Sequence, residues 1–253
     1  MNNDNNGNIK EKVREKYGRV ALLQDSCCGP GECGCGTMSS SSPIESAGAI
    51  GYSREDLASV PEAAMLGAGC GAPLNFAGLK EGETVVDLGS GAGIDVFLSA
   101  RRVGAGGRAI GIDMTDEMLA KARKNASEHG YANVEFRKGD IEERIPLGDA
   151  SADAVISNCV INLTFDKAKT FSEIHRVLKK GGRMVISDIA ADREVTQADP
   201  EKWCSCIDGA LTKENYIAAI KKAGFEGVSV LEERPYIEMD GRKLSSIVVR
   251  AVK

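Results

Sequence analysis

Apolar side chains recur along residues 9–21 (IKEKVREKYGRVA) at Ile9, Val13, Tyr17 and Val20, spacings that place them on one stripe of an amphipathic helix. Such a stripe is expected to pack on the main body. The run CCGPGECGCGTMSSSSP that follows has no periodicity, and its Gly, Ser and Cys content is that of a loop. Residues 53–66 (SREDLASVPEAAML) read as helical in part, interrupted at Pro61, and lead into the glycine-rich GAGCGAP around Cys70.

From Glu83 the period changes. Short apolar runs alternate with longer helical ones: TVVDL, IDVFLSARRV, RAIGID, a helix from about Asp116 to His129, VEFRKGD, DAVIS, DKAKTFSEIHRVLKK closed by Gly181, and RMVISD. Strand alternating with helix implies a parallel sheet with right-handed crossovers. Near the end, Thr212 caps KENYIAAIKKA and Gly224 stops it, followed by two strand-like runs, GVSVLEE and SSIVVRA. Asp240-Gly241 is a turn signal between those runs, but they stand too far apart for a tight two-residue hairpin. The expected fold is α/β: a Rossmann-like, mostly parallel seven-stranded sheet with helices on both faces. Three regions are expected: a Cys-rich N-terminal segment over residues 1–75, a ligand-binding domain over 76–190 and a smaller C-terminal part over 191–253.

Composition narrows the partners. A net charge of −5 carries no basic footprint for nucleic acid. No apolar run approaches the roughly 20 residues of a membrane span, and the polar start MNNDNNGNIKEK does not resemble a secretory signal. The chain is therefore expected in the cytoplasm, away from membranes, and as a monomer. Its 8 cysteines fall well short of a disulfide scaffold, where the fraction exceeds roughly 8%. Four of them, Cys27, Cys28, Cys33 and Cys35, crowd into nine residues. In a reducing compartment such crowding points to metal binding, redox work or a soft ligand.

The loop VVDLGSGAG follows a strand and opens a helix, the setting in which glycines allow a tight turn and close approach to a ligand. Its pattern is G-x-G-x-G, with Gly89, Gly91 and Gly93. Ile94 stands where the hydride-transfer fingerprint needs its third glycine. Asp87 precedes the loop, and Asp113 ends the next strand, placed to accept hydrogen bonds from both ribose hydroxyls. This combination resembles the class I S-adenosylmethionine methyltransferases. A sulfonium and an ammonium tolerate a nearby carboxylate where a pyrophosphate would be repelled. The resemblance implies a cofactor site of Asp87, Gly89, Ser90, Gly91, Gly93, Asp113, Met114 and Asn158, with Asp140 and Ile141 of GDIEE beside the adenine.

Cys159, in SNCVINL, directly follows the strand DAVIS, at the carboxyl end where ligands bind in such sheets. Taken together, VREKYG, GAGCGAP, DLGSGAGIDVFLSARRVG, GIDMTDEML, SNCVINL, RVLKKGGRMVISD and CIDGAL resemble the arsenite S-adenosylmethionine methyltransferases from residue 13 to about residue 225. The resemblance implies that Cys159 and Cys206 hold arsenic through every methylation and that Cys70 is the third ligand needed for inorganic arsenite. A redox partner of Cys70 is expected in the N-terminal cluster, with Cys28 the first choice. Cys204 is an alternative to Cys206. Trivalent arsenic is thiophilic, and three thiolates hold it as a pyramid whose exposed lone pair is the nucleophile. Methyl transfer oxidises arsenic, so two electrons must return, from thiols later restored by thioredoxin or glutathione. Two other readings stay open. One is a methyltransferase acting on carbon or oxygen of a small metabolite, with structural cysteines. The other is a thiol-rich zinc protein, against which stands the absence of paired C-x-x-C spacing after Cys28.

Overall fold

The structure, a computed structural model, describes residues 3–23 and 42–253. Helix α1 (Asn3–Leu23) precedes the sheet's own crossovers, packs on Met118 of the later helix Asp116–Glu128 and buries Ile9, Val13 and Val20, three of the four stripe positions. The short helices α2 (Pro43–Ala49) and α3 (Arg54–Ala58) are each opened by a serine, Ser42 and Ser53, whose side chain accepts from the backbone N–H three residues on. Pro61 starts a separate 3-10 turn, as an imino residue without an N–H must.

The sheet begins with β1 (Thr84–Leu88), α4 (Ile94–Val103), β2 (Arg108–Asp113), α5 (Asp116–Glu128) and β3 (Val134–Lys138). It continues with β4 (Ala152–Asn158), α6 (Lys167–Val177), β5 (Leu178–Ala191), α7 (Pro200–Trp203), α8 (Lys213–Lys222), β6 (Glu226–Met239) and β7 (Arg242–Val252). The strand order is β3-β2-β1-β4-β5-β7-β6. The first five of these pair in parallel, and β7 runs antiparallel to both β5 and β6. Central strands are near-continuous apolar runs because both faces are covered: Val85, Val86 and Leu88 are all essentially buried. One face packs on Val96, Phe97, Leu98 and Leu119 of α4 and α5, the other on Phe171, Ile174, Tyr216 and Ile220 of α6 and α8. Residues 226–252 extend this same sheet, and β5 runs unbroken through residue 190. Among the described residues no helix is long and apolar enough to cross a membrane.

Two expectations fail. The helix expected to run to Gly181 ends at Val177, because Leu178 has φ −69° and ψ 139° and starts β5. Leu178 is fully buried, so its apolar side chain serves the sheet core. The last two strands do form a tight hairpin. They extend to Met239 and Arg242, which pair across Asp240 and Gly241, both with positive φ (54° and 66°) as a two-residue turn requires. The half-polar run RPYIEMDGRK lacks the apolar density of a strand, yet an edge hairpin needs one buried face only.

Candidate active site

The parallel strands β1 and β4 diverge in their connections, β1 to β2 on one side and β4 to β5 on the other, so a crevice opens beyond their carboxyl ends. Its floor is the loop after β1. Gly89 has φ 70°, and a Cβ there would overlap the side chain of Val160, so only glycine lets this turn lie under the loop after β4. Gly111 on β2 is needed for a similar reason: a Cβ would stand 2.6 Å from the Ser90 hydroxyl.

The glycine loop spends its N–H groups internally. Gly89 and Ser90 donate to the Ile112 carbonyl at 2.8 and 3.0 Å, Gly93 to the Ser90 carbonyl at 2.9 Å, and Gly91 to Asp113 Oδ2 at 2.9 Å. An anion cradle of free amides is therefore not what this loop offers. Instead the cleft is lined by Asp87, Asp95 and Asp113. Burial raises all three carboxyls, Asp87 well above its ordinary value and Asp95 to about 6. The Ser90 hydroxyl and Asp95 Oδ1 are buried and have no partner. Three crowded carboxylates and two orphaned polar atoms suit a ligand that brings positive charge and hydrogen-bonding groups.

Asp113 also accepts from the Thr115 N–H at 2.9 Å, and hydrogen bonds from the Thr115 side chain and the Met114 backbone help to hold the carboxylate on the cleft wall. Met114, Asp140, Ile141 and Asn158 join the lining, whereas Gly93 does not. Gly93 instead caps α4 at φ 100°, where a Cβ would stand 2.8 Å from the Phe97 ring. Helix α1 crosses the cleft: Lys10 pairs with Asp140 at 2.9 Å and Glu142 at 3.0 Å, and Lys16 donates to the Ser205 hydroxyl at 2.9 Å.

The thiols gather at the other end of the same crevice. Cys159 and Cys206 line it, while Cys70 is buried one layer deeper. The Cys70 and Cys159 sulfurs and a carboxylate oxygen of Asp188 lie within 4.8 Å of one another. Cys206 Sγ donates to the Cys159 carbonyl at 2.9 Å. Hydrogen bonding with the Cys206 and Cys70 thiols, then burial, push the Cys159 thiol well above the ordinary range. Both Cys159 (φ 61°) and Cys206 (φ 64°) hold a left-handed backbone, uncommon for any side chain and concentrated at functional sites. Cys204 also lines the cleft and is buried against Ile9, Val13 and Trp203, and burial raises its thiol. Cys27, Cys28, Cys33 and Cys35 lie outside the described residues.

Sequence reasoning missed four contributors. Asp188 ends the inner part of β5 and accepts from Tyr216 OH at 3.1 Å, the Asn162 N–H at 3.0 Å and the Ile189 N–H at 3.0 Å. Burial raises it to about 7, so it is shared between neutral and charged forms near neutrality. Lys167, lowered to about 8 by burial, supplies positive potential beside Asp188 and Cys206. Tyr52 and Asp95 complete the set, with Tyr52 OH donating to Asp95 Oδ2 at 2.7 Å. Asp188 closes the apolar run RMVISD as Asp87 and Asp113 stand at or beside the ends of theirs, so the sequence contains the signal although β5 itself continues to Ala191; Tyr52 has none.

Comparison with known proteins places the chain in a family. A family described as a methyltransferase domain matches residues 79–224. An arsenite methyltransferase of Halobacterium salinarum is 43% identical over 249 residues, covering 91% of this chain and 62% of that protein. The Homo sapiens arsenite methyltransferase is 34% identical over 236 residues, 86% of this chain and 58% of its own length. The chain thus spans about 60% of the length of these curated relatives. The crystal structure of an arsenic(III) S-adenosylmethionine methyltransferase from Chlamydomonas reinhardtii superposes with a TM-score of 0.66 at 35% identity, covering 84% of this chain and 74% of that one. With a methyltransferase domain matched over residues 79–224 and a structural relative at 35% identity covered to 74% of its length, the chain belongs to the arsenite methyltransferase family of class I methyltransferases.

Proposed function

We propose that the chain transfers the methyl group of S-adenosylmethionine to trivalent arsenic held by cysteine sulfur, taking arsenite and then methylarsenite. The observation that carries this reading is that one crevice joins a carboxylate-lined pocket, poor in free amides, to a cluster of thiols. S-adenosylmethionine, when bound, supplies a methyl group on a positively charged sulfur. Asp87 and Asp95 offer negative charge to its cationic groups, Asp113 accepts from the ribose hydroxyls, Ser90 offers its hydroxyl, and Asp140 and Ile141 border the base. Met114, Asn158 and the glycine loop shape the remaining walls.

Arsenite enters by exchange. Each thiol of Cys70, Cys159 and Cys206 forms an As–S bond as an As–O bond breaks, and its proton leaves with the hydroxyl as water, with no change of oxidation state. Three sulfurs leave the arsenic lone pair directed away from them, toward the cofactor side. No base is needed for the transfer itself, because sulfur-bound arsenic carries no proton; the protein contributes placement, worth up to roughly 7–11 kcal/mol. The transfer oxidises arsenic by two electrons. They return when a thiol of the 27–35 cluster attacks the Cys70 sulfur: the As–S(Cys70) bond breaks and leaves its electron pair on arsenic, the S–S bond forms and the attacking thiol's proton is released. A thioredoxin- or glutathione-type reductant then reopens the disulfide in a reducing cytoplasm. The unit is read as a monomer whose partners are arsenite, its methylated products and a thioredoxin-type reductant, with no nucleic acid and no membrane.

Arsenite and methylarsenite titrated into the protein, followed through the emission of Trp203, test the ligand set. Cys159→Ser and Cys206→Ser are each expected to lose binding and every methylation step, since a hard hydroxyl is a poor arsenic ligand. Methylation of methylarsenite by the Cys159→Ser protein would overturn the assignment.

A further inference from the structure

A chain of buried and half-buried hydrogen bonds runs between the two halves of the crevice. Tyr52 OH donates to Asp95 Oδ2 at 2.7 Å and accepts from Asn158 Nδ2 at 3.1 Å. Asn158 in turn holds the segment that carries Cys70: its Nδ2 donates to the Gly71 carbonyl at 2.6 Å, and its Oδ1 accepts from the Cys70 N–H at 3.1 Å. Gly69, φ 124°, permits this contact, because a Cβ there would stand 2.9 Å from Asn158 Nδ2. At the far end Asp95 lines the carboxylate-lined pocket, and its second oxygen, Oδ1, is buried without a hydrogen-bond partner. Tyr52 is itself 6% exposed and belongs to none of the walls of that pocket, so its hydroxyl serves the two neighbours and no ligand directly.

We infer that Tyr52 is a positioning residue that couples occupancy of the cofactor pocket to the placement of Cys70, so that a bound cofactor prepares the third thiol for arsenite. The inference rests on the function proposed above. A cationic group facing Asp95 Oδ1 fixes that carboxylate in its charged form and orientation. Asp95 then fixes the Tyr52 hydroxyl, which can satisfy Asn158 Nδ2 only with its lone pair turned that way, and Asn158 holds the Cys70 backbone. Without such a group nothing bonds to Asp95 Oδ1, and the chain of bonds to Cys70 is held at that end by Tyr52 alone. The coupling acts on arsenite, which needs three sulfurs. It does not act on methylarsenite, which needs only Cys159 and Cys206.

The test measures binding without turnover. Arsenite and, separately, methylarsenite are titrated with and without saturating sinefungin, a cofactor analogue that keeps the amino group and has no transferable methyl, while Trp203 emission is followed. In the unaltered protein sinefungin is expected to tighten arsenite binding by about fivefold or more, the lower end of ordinary coupling between sites, and to leave methylarsenite within about twofold. Tyr52→Phe keeps the ring and removes the hydroxyl; the arsenite ratio is expected to fall to about one, with methylarsenite unmoved. Asp95→Asn still accepts from Tyr52 but lacks the charge, so it is expected to weaken sinefungin about tenfold and also to abolish the ratio. Equal arsenite affinity with and without sinefungin in the unaltered protein, or a ratio that persists in either folded variant, overturns the inference while leaving the function in place. Failure of the unaltered protein to bind arsenite or sinefungin at all overturns the function itself.

Discussion

Cys159 and Cys206 are two of four non-glycine residues with positive φ among the described residues, and the other two, Ala150 and Asp240, sit in turns. A left-handed residue of this kind costs on the order of 1–3 kcal/mol, which the fold sustains by bonding around it. The Cys159 N–H donates to the Ser187 carbonyl at 2.8 Å, and the Cys206 N–H to the Trp203 carbonyl at 2.9 Å. Cys70 differs: its backbone is not left-handed, its thiol hydrogen-bonds with the Cys159 thiol and lies 3.5 Å from the Ser187 hydroxyl and 4.0 Å from Asn158 Oδ1, and its segment is held by neighbours. That distinction argues for different roles. Cys70→Ser is expected to lose arsenite methylation and keep methylation of methylarsenite, as separated by chromatography of the products, because methylarsenite already has one arsenic–carbon bond and needs two sulfurs. Equal loss on both substrates would contradict a selective third ligand. The carboxylates make a second prediction. Burial lifts Asp87, Asp95 and Asp113, and a cation favours their charged forms, so cofactor binding lowers these values and expels protons. Near pH 6, calorimetry in buffers of different ionisation enthalpy is expected to show proton release, and affinity is expected to fall as pH drops through about 6. Identical binding enthalpies in all buffers would contradict a cation beside Asp95.

At the scale of elements, the segment after α7 carries Cys204 and Cys206 and is anchored at its far end. Asp208 accepts from Arg242 Nη2 at 2.6 Å and from the Asp199 N–H at 2.8 Å, and both partners of the ion pair are almost wholly buried. Arg242 Nε and Nη1 have no other partner. Removing one member of such a pair strands a buried charge at a cost of about 3–5 kcal/mol. Asp208→Ala is therefore expected to lower the melting temperature by roughly 6–20 °C, measured by circular dichroism, at 2–4 °C per kcal/mol for a chain of this size. A change below about 2 °C would mean the ion pair does not anchor the segment. Gly209 adds a steric requirement here, since a Cβ would overlap the Asn162 backbone carbonyl.

The strand-helix alternation and the strand-end carboxylates Asp87, Asp113 and Asp140 are legible in the sequence because each depends on a local period or on a fixed place in a βα unit. The cysteines are legible by type and by resemblance. What the chain hides is assembled from distant segments: Tyr52 meets Asp95 and Asn158 across separations of 43 and 106 residues, and Asp188 meets Tyr216 across 28. No periodicity marks a side chain whose partner lies on another element. The early end of α6 at Val177 was hidden for a different reason, since LKK is equally compatible with a helix turn and a strand start and tertiary burial of Leu178 decides it.

For the whole molecule, the sheet brings two chemistries to one edge. Strands β1, β2 and β3 end in the carboxylate-lined pocket, β4 and β5 end at the thiols, and α1 spans the opening from Asp140 to Ser205. The hairpin β6–β7 closes the thiol side through Ser246, whose hydroxyl donates to the Cys70 carbonyl at 2.5 Å. A fold so arranged is expected to pass a methyl group from a cationic donor to a soft acceptor without help from a histidine, and neither His129 nor His175 lies on the crevice. The most direct measurement is incubation of the full chain with arsenite, a thiol reductant and S-adenosylmethionine labelled in its methyl group, followed by arsenic speciation. The account predicts label in methylated arsenic, lost in Cys159→Ser. Turnover of the donor with no label on arsenic, or label on arsenic that survives Cys159→Ser, would contradict it.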